Sequence, residues 1–107
     1  MSAIKSAPDC QNLGDIRLGI DSIDQQIVNL LARRLTYVKA ATRFKANEHS
    51  IPAPERVVAM LEERRQWAAE AGLPVDQTED FFKDLIHWFI NQQISHWRTL
   101  HSEAGEQ

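Results

Sequence analysis

Two cations, Arg34 and Lys45, stand where a helical apolar seam calls for hydrocarbon. The stretch LLARRLTYVKAATRFKAN, residues 30–47, repeats apolar residues at helical spacing through Leu30, Leu31, Val38 and Ala41. Eleven positions separate Arg34 from Lys45. On an α-helix that is roughly 1100° of rotation and ~16 Å of rise, which returns Lys45 to the face of Arg34 within ~20°. Gln93 interrupts a second seam in the same way, between Phe89 and Trp97. Taken singly, each has an ordinary explanation: a long side chain that snorkels to water or, for Arg34, a structural pair with a carboxylate such as Asp24. Taken together they are hard to explain by packing, because a buried charge without a partner costs several kcal/mol. Two cations and an amide converging inside a helical bundle call for an anionic ligand.

Arg17 is the fourth candidate. Along one helix it lies ~25 Å from Arg34, too far for both to hold one small molecule. Across an antiparallel pair of chains, Arg17 of one copy approaches Arg34 of the other. Two guanidiniums that each take a carboxylate in bidentate fashion, with an ammonium and an amide between them, describe a site for a small polar dianion. Arg56 directly follows the proline-bearing linker NEHSIPAP, where it either closes over such a ligand as part of a lid or is a solvated residue at a helix start.

Three helical segments position these residues. The first runs from about Leu13 to Ala46, with Asn12 as N-cap, Asp15 three residues on, and Ile16, Ile20, Ile23 and Ile27 extending the seam. Pro54 and Glu55 suit the first turn of a second helix that ends at Ala71, before Gly72 and Pro74. Asp76 with Glu79 makes a capping-box-like start for the third, which carries Phe81, Phe82, Leu85, Ile86, Phe89, Ile90, Ile94 and Trp97. The terminal HSEAGEQ reads as a frayed tail. At ~1.5 Å per residue the first helix spans ~50 Å, far beyond the ~13 Å radius of gyration of a compact domain of this size. The other two helices leave part of its seam in water, so a second copy is expected against it. The fold class is all-α: a single domain over residues 1–107, ordered over about 9–100, forming an intertwined homodimer.

Composition narrows the function classes. With 107 residues, 43% hydrophobic, 25% charged and a net charge of −3, the chain has the make-up of one globular domain with a modest core and no large nucleic-acid footprint. Cys10, the single cysteine, has neither a CxxC partner nor a nearby His-Asp pattern and reads as a bystander in a reducing compartment. MSAIKSAPDCQN is not a basic leader with an apolar run, and no stretch approaches the ~20 apolar residues of a membrane span. The expectation is a soluble, cytoplasmic protein without membrane or nucleic-acid partners. His49, His87, His96 and His101 include no i, i+4 pair, so no metal is expected. Trp67, Trp88 and Trp97 read as packing anchors, and Glu62, Glu63, Arg64 and Arg65 as a solvated face with i, i+3 pairs. No phosphate loop, dinucleotide fingerprint or nucleophile elbow is present.

The ordered set Asp15-Ile16-Arg17, Arg33-Arg34, Arg43-Phe44-Lys45, IPAPERV at 51–57, Ile86-His87-Trp88 and Gln93-Ile94 resembles the all-helical chorismate mutase family over about residues 9–98. Within that family it is most similar to the branch that cleaves isochorismate to salicylate and pyruvate. The resemblance implies an intertwined dimer of three-helix chains without cofactor or metal, acting on a small dicarboxylate, isochorismate or chorismate. It further implies that Arg34 holds the enolpyruvyl carboxylate, that Arg17 from the other chain holds the ring carboxylate, and that Lys45 and Gln93 face the ether oxygen. Val38 and Phe89 join Arg56 in the substrate-binding set. Two departures favour the lyase: where mutases of this fold carry Arg-Glu after the loop and Ser four residues before the Gln, this chain has Arg56-Val57 and Phe89. An apolar wall there penalises the C4 hydroxyl of chorismate and tolerates isochorismate, whose hydroxyl is at C2. Residual mutase activity is expected because both substrates keep the same carboxylates. The alternatives are a chorismate mutase proper and a non-catalytic helical dimer that scaffolds partners.

Overall fold

A computed structural model describes residues 3–51 and 53–105, with the side chains of 49 and 103–105 outside that description. Helix α1 is Leu13–Ala41, α2 is Pro54–Ala71 and α3 is Val75–Gly105. Short 3-10 turns occupy Ala7–Asp9, Thr42–Phe44 and Glu48–Ser50, and no strand occurs among the described residues. The chain divides into two compact units, Met1–Tyr37 and Val38–Gln107.

In the first unit, α1 starts as its cap residues predict. The Asn12 side chain accepts the Asp15 N–H at 2.8 Å, satisfying one of the helix's orphan donors. The Asp15 carboxylate accepts the Gln11 N–H at 3.0 Å and pairs with Lys5 at 3.0 Å. Those two contacts, the Gln11 hydrogen bond foremost, hold the Asp15 carboxyl below its usual range. No residue of α1 is buried. Ile20, Ile23 and Leu30 are each 55% exposed.

The second unit is built on α2 packed against α3. Met60 and Ala68 of α2 meet a core of Leu85, Ile86 and Phe89 from α3, joined by Ile51 from the linker. Apolar residues recurring every three or four positions along the two helices produce this single buried face. Gly72 ends α2 with φ 78°, a left-handed conformation that L side chains rarely adopt. The Gly72 and Leu73 N–H groups return to Ala69 and Ala68 at 3.2 and 2.8 Å, the paired bonds of a Schellman stop.

Several sequence expectations need correction in this unit. Helix α3 starts at Val75, so Asp76 lies inside the first turn and the Asp76–Glu79 capping box does not form. Both carboxylates instead grip Arg65 of α2, Asp76 at 3.0 Å and Glu79 more closely. Arg64 is not solvated either. Its guanidinium lies 4.5 Å from the Trp67 ring centroid and 5.9 Å from that of Phe82, and burial pushes its pKa down. Trp67 and Trp88 are each 51% exposed and so are not anchors of the chain's own core. Of the tail expected to fray, residues 101–105 continue α3, and 106–107 lie outside the described residues. Trp97 and His101 stack at 3.6 Å between ring centroids, an i, i+4 contact on the helix surface.

The largest correction concerns the end of α1. The helix stops at Ala41 rather than Ala46, passes into the Thr42–Phe44 3-10 turn, and leaves Lys45 extended at φ −101°, ψ 121°. Helical period therefore does not set the direction of Lys45. Side chains terminate the helix: the Thr42 hydroxyl donates to the Lys39 carbonyl and Arg43 Nε to that of Ala40, occupying acceptors that the last turn leaves open.

Candidate active site

The second unit gathers five of the seven candidate residues. Gln93 is half-buried on α3, one turn beyond Phe89, which is 3% exposed. Its Nε2 donates to the Val38 main-chain carbonyl at 3.1 Å, joining α3 to the last turn of α1. The Thr42–Phe44 turn packs on α3, with Thr42 buried, and delivers Lys45 immediately after it. Lys45 is half-buried and its N–H closes the turn on the Thr42 carbonyl at 3.2 Å. Among the described residues no carboxylate pairs with its ammonium. An ammonium and an oriented amide N–H are the kinds of donor that can stabilise charge on a ligand oxygen.

The linker that follows is anchored. Asn47 accepts the Ser50 N–H at 3.0 Å, Glu48 pairs with Arg98 of α3, and Ile51 is buried. Arg56, by contrast, lies on the exposed face of α2, 3.9 Å from Glu63.

Arg17 and Arg34 belong to the first unit. Arg17 is exposed, and no carboxylate among the described residues pairs with it. Arg34 is half-buried with its Nη1 out of contact with solvent, whereas its neighbour Arg33 is exposed. The first unit also holds a cleft of about 550 Å³ between the N-terminal segment and α1, lined by Ile4, Cys10, Ile16, Ile20 and Ile23 among others. Neither Arg17 nor Arg34 lines it; its charged lining residues are Lys5, which pairs with Asp15, and Asp24.

Sequence reading missed three features of this region: the Val38 carbonyl, the Glu48–Arg98 pair and the capping role of Thr42. The first is a main-chain group and has no side-chain signature. Glu48 and Arg98 are 50 residues apart in sequence, whereas the Thr42 bond to Lys39, three residues back, is a local signal that a threonine near a helix end carries.

Residues 16–94 match the chorismate mutase type II family, a span that contains all seven candidates. The chain belongs to the type II chorismate mutase family. It is 54% identical to the isochorismate pyruvate lyase of Pseudomonas aeruginosa over 101 residues, covering 94% of this chain and all of that protein. The chain is also 35% identical over 94 residues to the T-protein of Haemophilus influenzae, and 37% identical over 73 residues to that of Enterobacter agglomerans. It spans only 25% and 19% of those two longer proteins. No helix among the described residues is long and apolar enough to cross a membrane.

Proposed function

We propose that this chain is an isochorismate pyruvate lyase that acts as a two-fold homodimer. The observation that carries the reading is its 54% identity to the Pseudomonas aeruginosa lyase across that enzyme's full length. The exposed apolar row of α1 supports the dimer, since burial of such a surface contributes about 25 cal/mol per Å² and large exposed patches mark association.

In this assembly Arg34 holds the enolpyruvyl carboxylate and Arg17 of the partner subunit holds the ring carboxylate. Val38 and Phe89 wall the ring, and Arg56 closes from the head of α2. The bound substrate is folded so that the hydrogen on its hydroxyl-bearing carbon reaches the terminal methylene of the enolpyruvyl group. That hydrogen transfers as the ring C–O bond breaks. The methylene becomes the methyl of pyruvate, the ether oxygen becomes its ketone, and the ring becomes aromatic as salicylate.

Negative charge develops on the ether oxygen during cleavage. The Lys45 ammonium and a Gln93 N–H face that oxygen, and a preorganised donor in a dry site typically supplies ~3–4 kcal/mol of transition-state stabilisation. No nucleophile or titrating base takes part. Mixing the protein with isochorismate and following salicylate fluorescence tests the proposal. Salicylate forming faster than in the uncatalysed control is expected, and its failure to do so overturns the reading.

Chorismate rearrangement to prephenate is the second reading, favoured by the family match over residues 16–94. Prephenate formation from chorismate in the same preparation, compared with salicylate formation from isochorismate, ranks the two. Phe89 in place of a polar residue is expected to leave the mutase activity the weaker.

A further inference from the structure

A carboxamide has two N–H donors on one end and an acceptor oxygen on the other, and which end faces a reacting oxygen decides whether it helps or repels. For Gln93 the neighbour that decides this is Val38. A main-chain carbonyl only accepts, so its 3.1 Å contact must be with the amide nitrogen; a reversed amide would set two oxygen atoms against each other. The contact is part-buried, which makes the mismatched orientation costly.

The Val38 carbonyl lies in the last turn of α1. Val38 is three residues before Ala41, the last residue of α1, and a main-chain carbonyl has two lone pairs, so it accepts a side-chain donor in addition to a helical N–H. Thr42 and Arg43 serve the Lys39 and Ala40 carbonyls locally. The Val38 carbonyl is reached from α3, 55 residues away in sequence.

We propose that the Val38 main-chain carbonyl is a positioning group for the reaction: it takes one N–H of Gln93 and thereby aims the second at the ether oxygen of the substrate. This inference rests on the lyase reading and adds to it the requirement for two protons on one atom. Glutamine meets that requirement. A protonated glutamate, with one proton for two acceptors, does not.

The Gln93→Glu variant separates these cases. Its kcat/KM for isochorismate is expected to be ~100-fold or more below wild type at neutral pH. As the carboxyl protonates, activity rises to a plateau still ~10-fold or more below wild type, because the single proton cannot serve both oxygens. A low-pH plateau equal to wild type overturns the proposal. An independent readout needs no activity: in uniformly ¹³C,¹⁵N-labelled ligand-free wild type, a scalar coupling across the hydrogen bond between Gln93 Nε2 and the Val38 carbonyl carbon is expected. Absence of that coupling in a protein that makes salicylate overturns this inference alone. Absence of salicylate formation by the wild type overturns the lyase reading and with it the role assigned to Val38.

Discussion

Arg98, late in α3, forms an ion pair with Glu48 in the 3-10 turn that lies three residues beyond Lys45. Together with buried Ile51 and the Asn47 cap, this pair holds the 46–51 stretch on α3. An exposed pair of this kind contributes only ~0–1 kcal/mol to stability. Arg98→Ala is therefore expected to leave the melting temperature within ~2 °C of wild type while lowering kcat/KM by about 3- to 10-fold, through looser placement of Lys45. Hydrogen exchange over residues 46–51 should accelerate in the variant. Unchanged exchange and unchanged kinetics together would show that the pair positions nothing.

Lys45→Ala is expected to lower kcat/KM for isochorismate by roughly 100-fold or more with the helical fold retained. Circular dichroism and steady-state kinetics on the same sample check this. Near-normal turnover would make Lys45 a structural residue.

Mixed dimers test whether Arg17 acts across the interface. Arg17→Ala and Arg34→Ala should each be nearly inactive alone. Refolded together in equal amounts, they should recover about a quarter of wild-type activity, because half of the dimers are mixed and each mixed dimer has one intact site. No recovery on mixing would place both arginines in the site of a single chain.

Phe89→Ser should have two separable effects. Removing a buried aromatic side chain costs ~3–5 kcal/mol of stability, seen as a lower denaturation midpoint. The polar hydroxyl should also lower the ratio of lyase to mutase kcat/KM by about 10-fold or more. A ratio that stays constant while stability falls would remove Phe89 from substrate discrimination.

Glu79 provides a pH signature of the α2–α3 pairing. The Arg65 hydrogen bond, against some desolvation and with smaller help from Lys83, holds the Glu79 carboxyl below its ordinary value. A depressed carboxylate pKa contributes stability that is present above the unfolded-state pKa and is lost as pH falls through the folded-state value. Denaturation midpoints of wild type and Glu79→Gln should therefore differ at pH 7 and converge as the pH drops below about 4. A constant difference from pH 7 to pH 3 would sink this assignment.

Much of this architecture is legible in the residue order. Asn12 with Asp15 marks the start of α1, and Pro54, Gly72 and Pro74 bound α2, because capping and backbone restriction act within a few residues. The contrast between half-buried Arg34 and exposed Arg33 likewise follows from helical period, which also put Gln93 one turn from Phe89. These are local relationships, and a 3.6-residue repeat carries them.

What sequence order misjudged was decided by competition for hydrogen-bonding groups, some of it between residues three apart and some across 55 residues. Helical period carries α1 through Lys45, but the helix ends at Ala41, where the Thr42 hydroxyl, the Arg43 guanidinium and the Gln93 amide occupy the last carbonyls. Asp76 and Glu79 resemble a cap until Arg65 of the neighbouring helix takes both. By itself, the sequence determined which residue types lie on which helical face and hence the chemistry the chain can offer. Only the tertiary structure decided where α1 stops and which end of the Gln93 amide is held by Val38. Those outcomes depend on competition for hydrogen-bonding groups brought together by packing, and local periodicity contains no record of that competition.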